Sequence, residues 1–190
     1  MCDELINEVG IQLLKGNIPD KWKEMRVVLI PKPGKDLTTM KNCRPINLIN
    51  CISKLWEKVV AGNLQEANLL PHHQLGAVKG RSALEVVFRV VVKVRRCMDG
   101  GGDAAWRFWD VKAGFQNMTE KEVSERMRLT EEGRQWRKWM TSFMGKRSFV
   151  VSWDGKGRRV WKTNVGVPQG SPLSLVVFLV WIAPILEYME

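Results

Sequence analysis

Apolar and polar residues alternate along this chain with two different periods. Leu48 to Leu64 and Ala83 to Arg96 repeat apolar residues every three or four positions, and both runs are long enough to favour amphipathic helices over strands. Ser148 to Trp153 and Arg159 to Val165 alternate every second residue around Asp154-Gly155-Lys156-Gly157, which predicts a β-hairpin. Helices mixed with a few antiparallel strands predict an α+β fold, with the helices on one face of the sheet.

Residues typical of helix caps and of strand ends predict where further helices and strands begin or end. Ser82 precedes the second helix as a candidate N-cap, and Thr119 with Glu122 forms a capping-box pattern. Val27 to Ile30 predicts a short strand that ends at the prolines of Pro31-Lys32-Pro33. The first helix is expected to bury Ile49, Ile52, Leu55, Trp56, Val59 and Val60, and a later helix is expected to carry Trp136, Trp139, Met140 and Phe143.

A glycine- and proline-rich loop, Asn164 to Ser174, precedes a long apolar run. Ser171 followed by Pro172 predicts a helix that begins there. The uncharged run Leu173 to Leu186 is too short to span a bilayer, so it predicts a buried core helix. The loop glycines allow backbone to approach a bulky ligand, and Gln169 offers a neutral amide beside it. A tight turn before a core helix is the alternative.

The charge of the chain indicates a polyanionic partner. Its 190 residues suffice for one core or for two small subdomains that share one. Thirty basic against twenty acidic residues give a net charge of +10, which favours nucleic acid over a membrane. Lys121 to Lys162 holds twelve basic and five acidic residues, so the surplus concentrates just before the loop. A solvated face is the other interpretation of this cluster.

The cysteines do not indicate a metal site. Cys2, Cys43, Cys51 and Cys97 form no C-x-x-C pair, and neither histidine has metal-ligand spacing from them. Their scatter is typical of a reducing intracellular compartment.

Asp110 is the candidate catalytic residue. It ends an apolar run within Ala104 to Val111, which predicts a short buried strand. A carboxylate at the end of a buried strand needs a cation or a partner. Either Lys112 pairs with it, or it is a magnesium ligand held on a rigid element, as metal-assisted phosphoryl transfer requires.

Five segments in order resemble the reverse transcriptases of non-long-terminal-repeat retrotransposons. Together they extend over about residues 20 to 187, and their shared order makes the resemblance specific although each alone is weak. They are Trp22 with Ile30-Pro31-Lys32-Pro33-Gly34-Lys35, Cys43-Arg44-Pro45-Ile46-Asn47-Leu48 with Lys54-Leu55-Trp56-Glu57-Lys58, Gln74-Leu75-Gly76 with Gly80-Arg81-Ser82, Phe108-Trp109-Asp110-Val111-Lys112-Ala113-Gly114-Phe115, and Val167-Pro168-Gln169-Gly170-Ser171-Pro172-Leu173-Ser174.

The resemblance implies a right-hand polymerase fold and two-metal chemistry. Residues of about 20–100 would form the fingers and about 101–190 an incomplete palm with an antiparallel sheet, within a single partial domain 1–190. Asp110 and the backbone carbonyl of Val111 would be ligands of Mg2+ in a two-ion site. Phe115 would pack under the incoming sugar and disfavour a ribose 2′-hydroxyl, although an ordinary core aromatic is the alternative for that residue.

The resemblance also implies nucleotide contacts. Lys32 and Arg44 would hold the triphosphate of the incoming nucleotide, since a guanidinium fork binds two phosphate oxygens at once. Gln169 and Gly170 would lie against the template and the new base pair. The implied partners are an RNA template, a DNA primer and deoxynucleoside triphosphates, without a membrane. The implied location is intracellular, in a nuclear or cytoplasmic ribonucleoprotein.

The chain departs from the family pattern at several positions. Cys43 stands where tyrosine is common, Ala77 where an aromatic is common, and Gln116 where aspartate is frequent. The family's aromatic-small-Asp-Asp hairpin should follow the helix after Ser171, but the sequence stops at Glu190 before it.

Three hypotheses remain open from the sequence. The chain is expected to be a truncated RNA-directed DNA polymerase domain that is inactive by itself, because Asp110 alone cannot hold two ions. A non-catalytic nucleic-acid-binding remnant and a functionless relic of such an element are the alternatives.

Overall fold

The computed structural model describes residues 10–11, 13–36, 39–67, 69–106, 108–153 and 157–188. Helices and strands combine here into the expected α+β class. The strands are β1 (Glu24–Pro31), β2 (Cys43–Leu48), β3 (Arg147–Trp153) and β4 (Gly157–Thr163). The helices are α1 (Cys51–Glu66), α2 (Ala83–Asp99), α3 (Gly114–Asn117), α4 (Glu120–Met127), α5 (Glu131–Met144) and α6 (Ser174–Tyr188).

The four strands form one sheet in the order β2-β1-β3-β4. The predicted hairpin is confirmed as the antiparallel pair β3 and β4, although its turn at 154–156 lies outside the described residues. The expectation of an antiparallel sheet is wrong at its centre, because β1 and β3 run parallel with Arg26 opposite Val150. Parallel strands need a long crossover, and α1 to α5 lie between these two strands in the chain.

The predicted strand at 104–111 is wrong. Its described residues have no regular secondary structure, and none of β1 to β4 pairs with them. Phe108 is 95% exposed and Trp109 is 72% exposed, so the apolar run is not buried. A strand forms only where its backbone groups find a ladder partner, and the described residues offer none here. Asp110 therefore lies in an exposed loop and not at the end of a sheet strand.

The predicted buried face of α1 is confirmed at Ile49 and Val60 and wrong at three other positions. Ile52, Leu55 and Val59 are exposed, whereas the helix buries Ser53, Glu57, Val60, Ala61 and Leu64. Polar side chains are buried when they are hydrogen-bonded, and Ser53 and Glu57 bond to each other. The face of α1 that packs on the core is therefore partly polar, and Val60, Ala61 and Leu64 supply its apolar part.

The other helical signals agree with the structure. The Ser82 hydroxyl caps α2, and the capping box of Thr119 and Glu122 opens α4. The helix predicted around Trp139 is α5, whose Trp139 and Phe143 rings stack 5.6 Å apart. The main core lies where α1, α4, α5 and α6 meet; its most buried members include Val60, Leu64, Met118, Val123, Met127, Met144, Leu173 and Val177.

The helix predicted after the loop is α6, and it begins later than expected. Pro172 and Leu173 form a turn, and the helix starts at Ser174. Ser171 still caps it, because its Oγ accepts from the backbone N–H of Leu173 and of Ser174. Among the described helices, including α6, none combines the length and the apolar character that crossing a membrane would require.

Candidate functional site

The loop that carries Gln169 is joined to the edge strand β2. The Asn47 N–H donates to the Gln169 carbonyl at 2.8 Å. Gly170 has φ +112°, and a Cβ built on it would lie 2.8 Å from the Asn47 carbonyl oxygen. A side chain at this position would therefore separate the loop from the strand. The glycine allows the close backbone approach that the sequence indicated, but its neighbour is β2.

The same loop is joined to the helix that follows Asp110. The Val167 N–H donates to the Phe115 carbonyl at 2.7 Å, and the Gly166 N–H donates to the Met118 carbonyl at 2.7 Å. Gly166 has φ +76°, and a Cβ there would lie 2.8 Å from the carbonyl oxygens of Phe115 and Gln116. These contacts connect the segment of Asp110 to the segment of Gln169, although they are far apart in the chain.

Phe115 and Gln169 line one cleft. Its volume is about 230 Å³. Phe115 is half-buried and stacks on Phe178 of α6, with ring centroids 5.2 Å apart and planes 9° apart. The other lining residues come from the sheet and the loop: Val27, Pro45, Asn47, Gln116, Phe149, Thr163, Val165, Gly166 and Val167. The cleft is mainly apolar, with the amide side chains of Asn47, Gln116 and Gln169 among its lining, which suits a base or a sugar better than a phosphate.

Lys32 and Arg44 do not line this cleft. The Lys32 ammonium donates to the Lys41 carbonyl at 2.8 Å, beyond the end of β1. Arg44 lies opposite Ile30 in the β1–β2 register. Alternate residues of a strand face opposite sides of a sheet, so Arg44 is on the other side from Pro45 and Asn47. Of the residues implied to contact the nucleotide, the structure brings together Phe115, Gln169 and the adjoining Gly170.

Asp110 and Val111 lie in the exposed segment before α3 and do not line the cleft. The described residues show no ion pair between Asp110 and Lys112, so the structure does not support the interpretation of Asp110 as half of a structural pair. No group of three or more carboxylate, histidine or cysteine side chains able to hold a metal ion occurs among the described residues. The described residues by themselves therefore do not fit a two-ion site.

Arg147 is fully buried, although it belongs to the basic segment Lys121 to Lys162, for which the sequence indicated contact with nucleic acid or solvent. Its Nε donates to the Met144 carbonyl at 3.0 Å, and its Nη2 donates to the carbonyls of Val165 and Gly166. Burial lowers the pKa of its guanidinium to about 10, which leaves it charged at neutral pH. Arg147 therefore holds the start of the loop from inside the protein. It precedes Ser148, where the predicted strand begins, and no sequence pattern indicates this role.

Glu57 is the second residue that sequence reasoning missed. It is 2% exposed, and its two carboxylate oxygens accept from Ser171 at 2.5 Å and from Ser53 at 2.8 Å. Burial raises the pKa of the Glu57 carboxyl, against smaller lowering effects of the two hydroxyls and of Lys54. Through Ser171, which caps α6, this carboxyl connects α1 to the far end of the loop.

The fold is expected to lose stability as pH rises through the raised pKa of Glu57. Below 4.5 the carboxyl is protonated in both the folded and the unfolded chain; above it the unfolded chain releases the proton first, which favours unfolding until the folded carboxyl also ionises. Glu57→Gln should remove this part of the pH dependence. Urea denaturation from about pH 4 to about pH 8 measures it, with Glu66→Gln on the same helix as the exposed control. If the free energy of unfolding changed with pH by the same amount in Glu57→Gln and Glu66→Gln, Glu57 would not be the source of this pH dependence.

Comparison with known proteins agrees with the motifs. The family model described as "Reverse transcriptase (RNA-dependent DNA polymerase)" matches residues 30–190. The chain is 28% identical over 169 residues, 87% of its length, to a probable RNA-directed DNA polymerase from transposon BS of Drosophila melanogaster, of which it covers 18%. It is 26% identical over 176 residues, 90% of its length, to the Pol polyprotein from type-1 retrotransposable element R2 of Popillia japonica, of which it covers 24%.

A third relative is the RNA-directed DNA polymerase from mobile element jockey of Drosophila melanogaster, 25% identical over 87% of this chain and 18% of that protein. The chain thus spans about a fifth of the length of the curated relatives that it matches. The match of the family model over most of the chain agrees with the order of the five motifs and with the joined segments of Phe115 and Gln169. The chain belongs to the reverse transcriptase family, as its resemblance to non-long-terminal-repeat retrotransposon enzymes indicated.

Proposed function

We propose that this chain is the part of a retrotransposon's RNA-directed DNA polymerase that receives the template and the incoming nucleotide. The observation that carries the proposal is the loop 166–170, whose backbone bonds to β2 on one side and to α3 on the other. These bonds put Phe115 and Gln169 into one cleft. In this proposal Phe115 packs against the sugar of the nucleotide, and Gln169 and Gly170 contact the template and the new base pair.

Lys32 and Arg44 are proposed to bind phosphate after the fingers close on the nucleotide. Arg44 is on β2 and Lys32 directly follows β1, and neither lines the cleft. Closure of loops or domains on a bound substrate is common in enzymes, and it would bring both residues to the triphosphate.

The partners proposed are an RNA template, a DNA primer and deoxynucleoside triphosphates, in an intracellular ribonucleoprotein.

We propose Mg2+ as the metal, and the described residues hold no group of three or more carboxylate, histidine or cysteine side chains that would bind it. Asp110 and the carbonyl of Val111 are proposed to be ligands only together with carboxylates that the 190 residues do not include, since the sequence contains no Asp-Asp pair. A non-catalytic nucleic-acid-binding remnant is the second candidate, favoured by the net charge of +10.

The 190-residue chain is expected to bind an RNA–DNA hybrid weakly, with an affinity that falls as salt rises. The basic surplus supplies phosphate contacts, each of which releases a counterion on binding. Gln169→Ala should weaken binding about threefold to tenfold, the loss expected for one or two hydrogen bonds. Fluorescence anisotropy with a labelled hybrid at two salt concentrations measures both effects.

Asn63→Ala is the matched control, because Asn63 is an exposed amide on α1 away from the cleft. It should leave the affinity unchanged. Equal affinities for the Gln169 and Asn63 variants would contradict the placement of Gln169 against the nucleic acid. Binding that is insensitive to salt would show that the basic surplus is a solvated face.

A further inference from the structure

Gln169 and Gly170 are the central residues of a turn whose two ends are buried. The Ser171 N–H donates to the Pro168 carbonyl at 3.3 Å, and the Ser174 hydroxyl donates to the same carbonyl at 2.8 Å. Pro168 and Ser171 are buried, whereas Gly170 is exposed. Because the four residues of a hydrogen-bonded turn move together, the position of Gln169 depends on what holds Ser171.

Glu57 holds Ser171 from inside the protein. The Ser171 hydroxyl donates its one proton to a carboxylate oxygen of Glu57 at 2.5 Å, and its oxygen accepts from the backbone N–H groups of Leu173 and Ser174. The second carboxylate oxygen accepts from the Ser53 hydroxyl, one turn earlier on α1, at 2.8 Å. A buried carboxyl with a hydroxyl on each oxygen has a fixed orientation, so the acceptor that faces Ser171 is fixed as well.

The strand that precedes α1 holds the same turn at a second point. The Asn47 N–H of β2 donates to the Gln169 carbonyl at 2.8 Å. β2 is an edge strand, so an N–H on its outer side is bonded only where a segment such as this turn lies against it. β2 and α1 follow each other directly in the chain, and together they hold the turn at Gln169 and at Ser171.

We propose that Glu57 is a positioning residue, which holds the turn 168–171, and with it the Gln169 amide, at the cleft by accepting from Ser171. Its effect on nucleic-acid binding rests on the proposed function, in which Gln169 contacts the template. Glu57 itself touches no nucleic acid and acts through Ser171. It supplies an acceptor in a fixed direction, so glutamine can replace it with the amide oxygen toward Ser171 and the amide nitrogen toward the Ser53 hydroxyl, which accepts as well as donates.

Hydrogen exchange of the Asn47 amide measures the position of the turn without nucleic acid. Glu57→Leu removes the acceptor and leaves the buried Ser171 hydroxyl without its partner, so the turn is expected to move away from β2. The Asn47 amide should then lose about tenfold in protection relative to amides between β1 and β2, whereas Glu57→Gln should keep its protection. Ser171→Ala breaks the same contact from the other side and replaces Glu57→Leu if that variant does not fold.

Leu64→Val is the matched control for stability. Leu64 is fully buried on the same helix, and its truncation lowers the stability of the core. A general loss of stability raises the exchange of all these amides alike. Leu64→Val should therefore produce no selective change at Asn47 and should leave the affinity for the hybrid unaltered.

Anisotropy with the labelled RNA–DNA hybrid measures the effect on binding. Glu57→Leu is expected to weaken binding about threefold to tenfold, as Gln169→Ala does, because it misplaces the same amide. Glu57→Gln should retain the affinity. Adding Glu57→Leu to Gln169→Ala should weaken binding no further, since the two changes remove one contact, whereas independent losses would multiply.

The outcomes separate this proposal from the proposed function. Unchanged Asn47 protection in both Glu57→Leu and Ser171→Ala would overturn the proposal, and so would multiplied losses in the double variant. An unchanged affinity in Gln169→Ala, together with a selective loss of Asn47 protection in Glu57→Leu, would overturn the proposed contact of Gln169 with the template and support Glu57 as the residue that positions the turn.

Discussion

Gly166→Ala is expected to lower the free energy of unfolding by about 2–4 kcal/mol, the largest stability effect we expect in this chain. Two costs add at this position. An alanine at φ +76° adopts a left-handed backbone that side chains disfavour, and its Cβ would lie 2.8 Å from the carbonyl oxygens of Phe115 and Gln116. To relieve that contact, the loop must move away from α3. The variant should therefore also lose hybrid binding.

Gly80→Ala separates the two costs. Gly80 has φ +79°, almost the same as Gly166, but an added Cβ would meet no atom within 4 Å. This variant should lose only about 1 kcal/mol, the cost of the left-handed backbone alone. Urea denaturation of both variants measures the difference. Similar losses at the two positions would show that the contact with α3 does not hold the loop.

The second large effect concerns catalysis and falls on Asp110. In a longer protein that contains the Asp-Asp hairpin of this family, Asp110→Asn is expected to abolish primer extension, because it keeps the size of the side chain and removes the charge that binds a metal ion. The same change should leave the stability of the 190-residue chain nearly unaltered, because Asp110 is exposed and without an ion pair among the described residues. Thermal unfolding of the 190-residue Asp110→Asn variant measures whether its stability is unaltered.

Local signals in the sequence predicted much of the fold. The Ser82 cap, the capping box at Thr119 and the β3–β4 hairpin depend on residues close together in the chain, and all are confirmed. The short strand predicted at 104–111 is wrong, because a strand also needs a partner. Apolar alternation cannot reveal whether that partner is present.

The parts of the site that the sequence missed depend on distant residues. The buried Glu57 accepts a hydrogen bond from Ser171, which lies 114 positions later in the chain. The apolar periodicity of a helix cannot predict a contact with so distant a residue. Arg147 is buried because carbonyls of the loop converge on its guanidinium. Phe115 and Gln169 could be assigned to one site only by resemblance to a family, since their proximity arises from backbone bonds between the loop and α3.

Primer extension tests the central claim most directly. The assay compares the 190-residue chain with a longer protein that continues through the Asp-Asp hairpin, each with primer, RNA template, deoxynucleoside triphosphates and Mg2+. We predict no extension by the 190-residue chain, extension by the longer protein, and loss of that extension in Asp110→Asn but not in Lys112→Ala. Extension by the 190-residue chain, or full activity of the longer Asp110→Asn protein, would contradict the account.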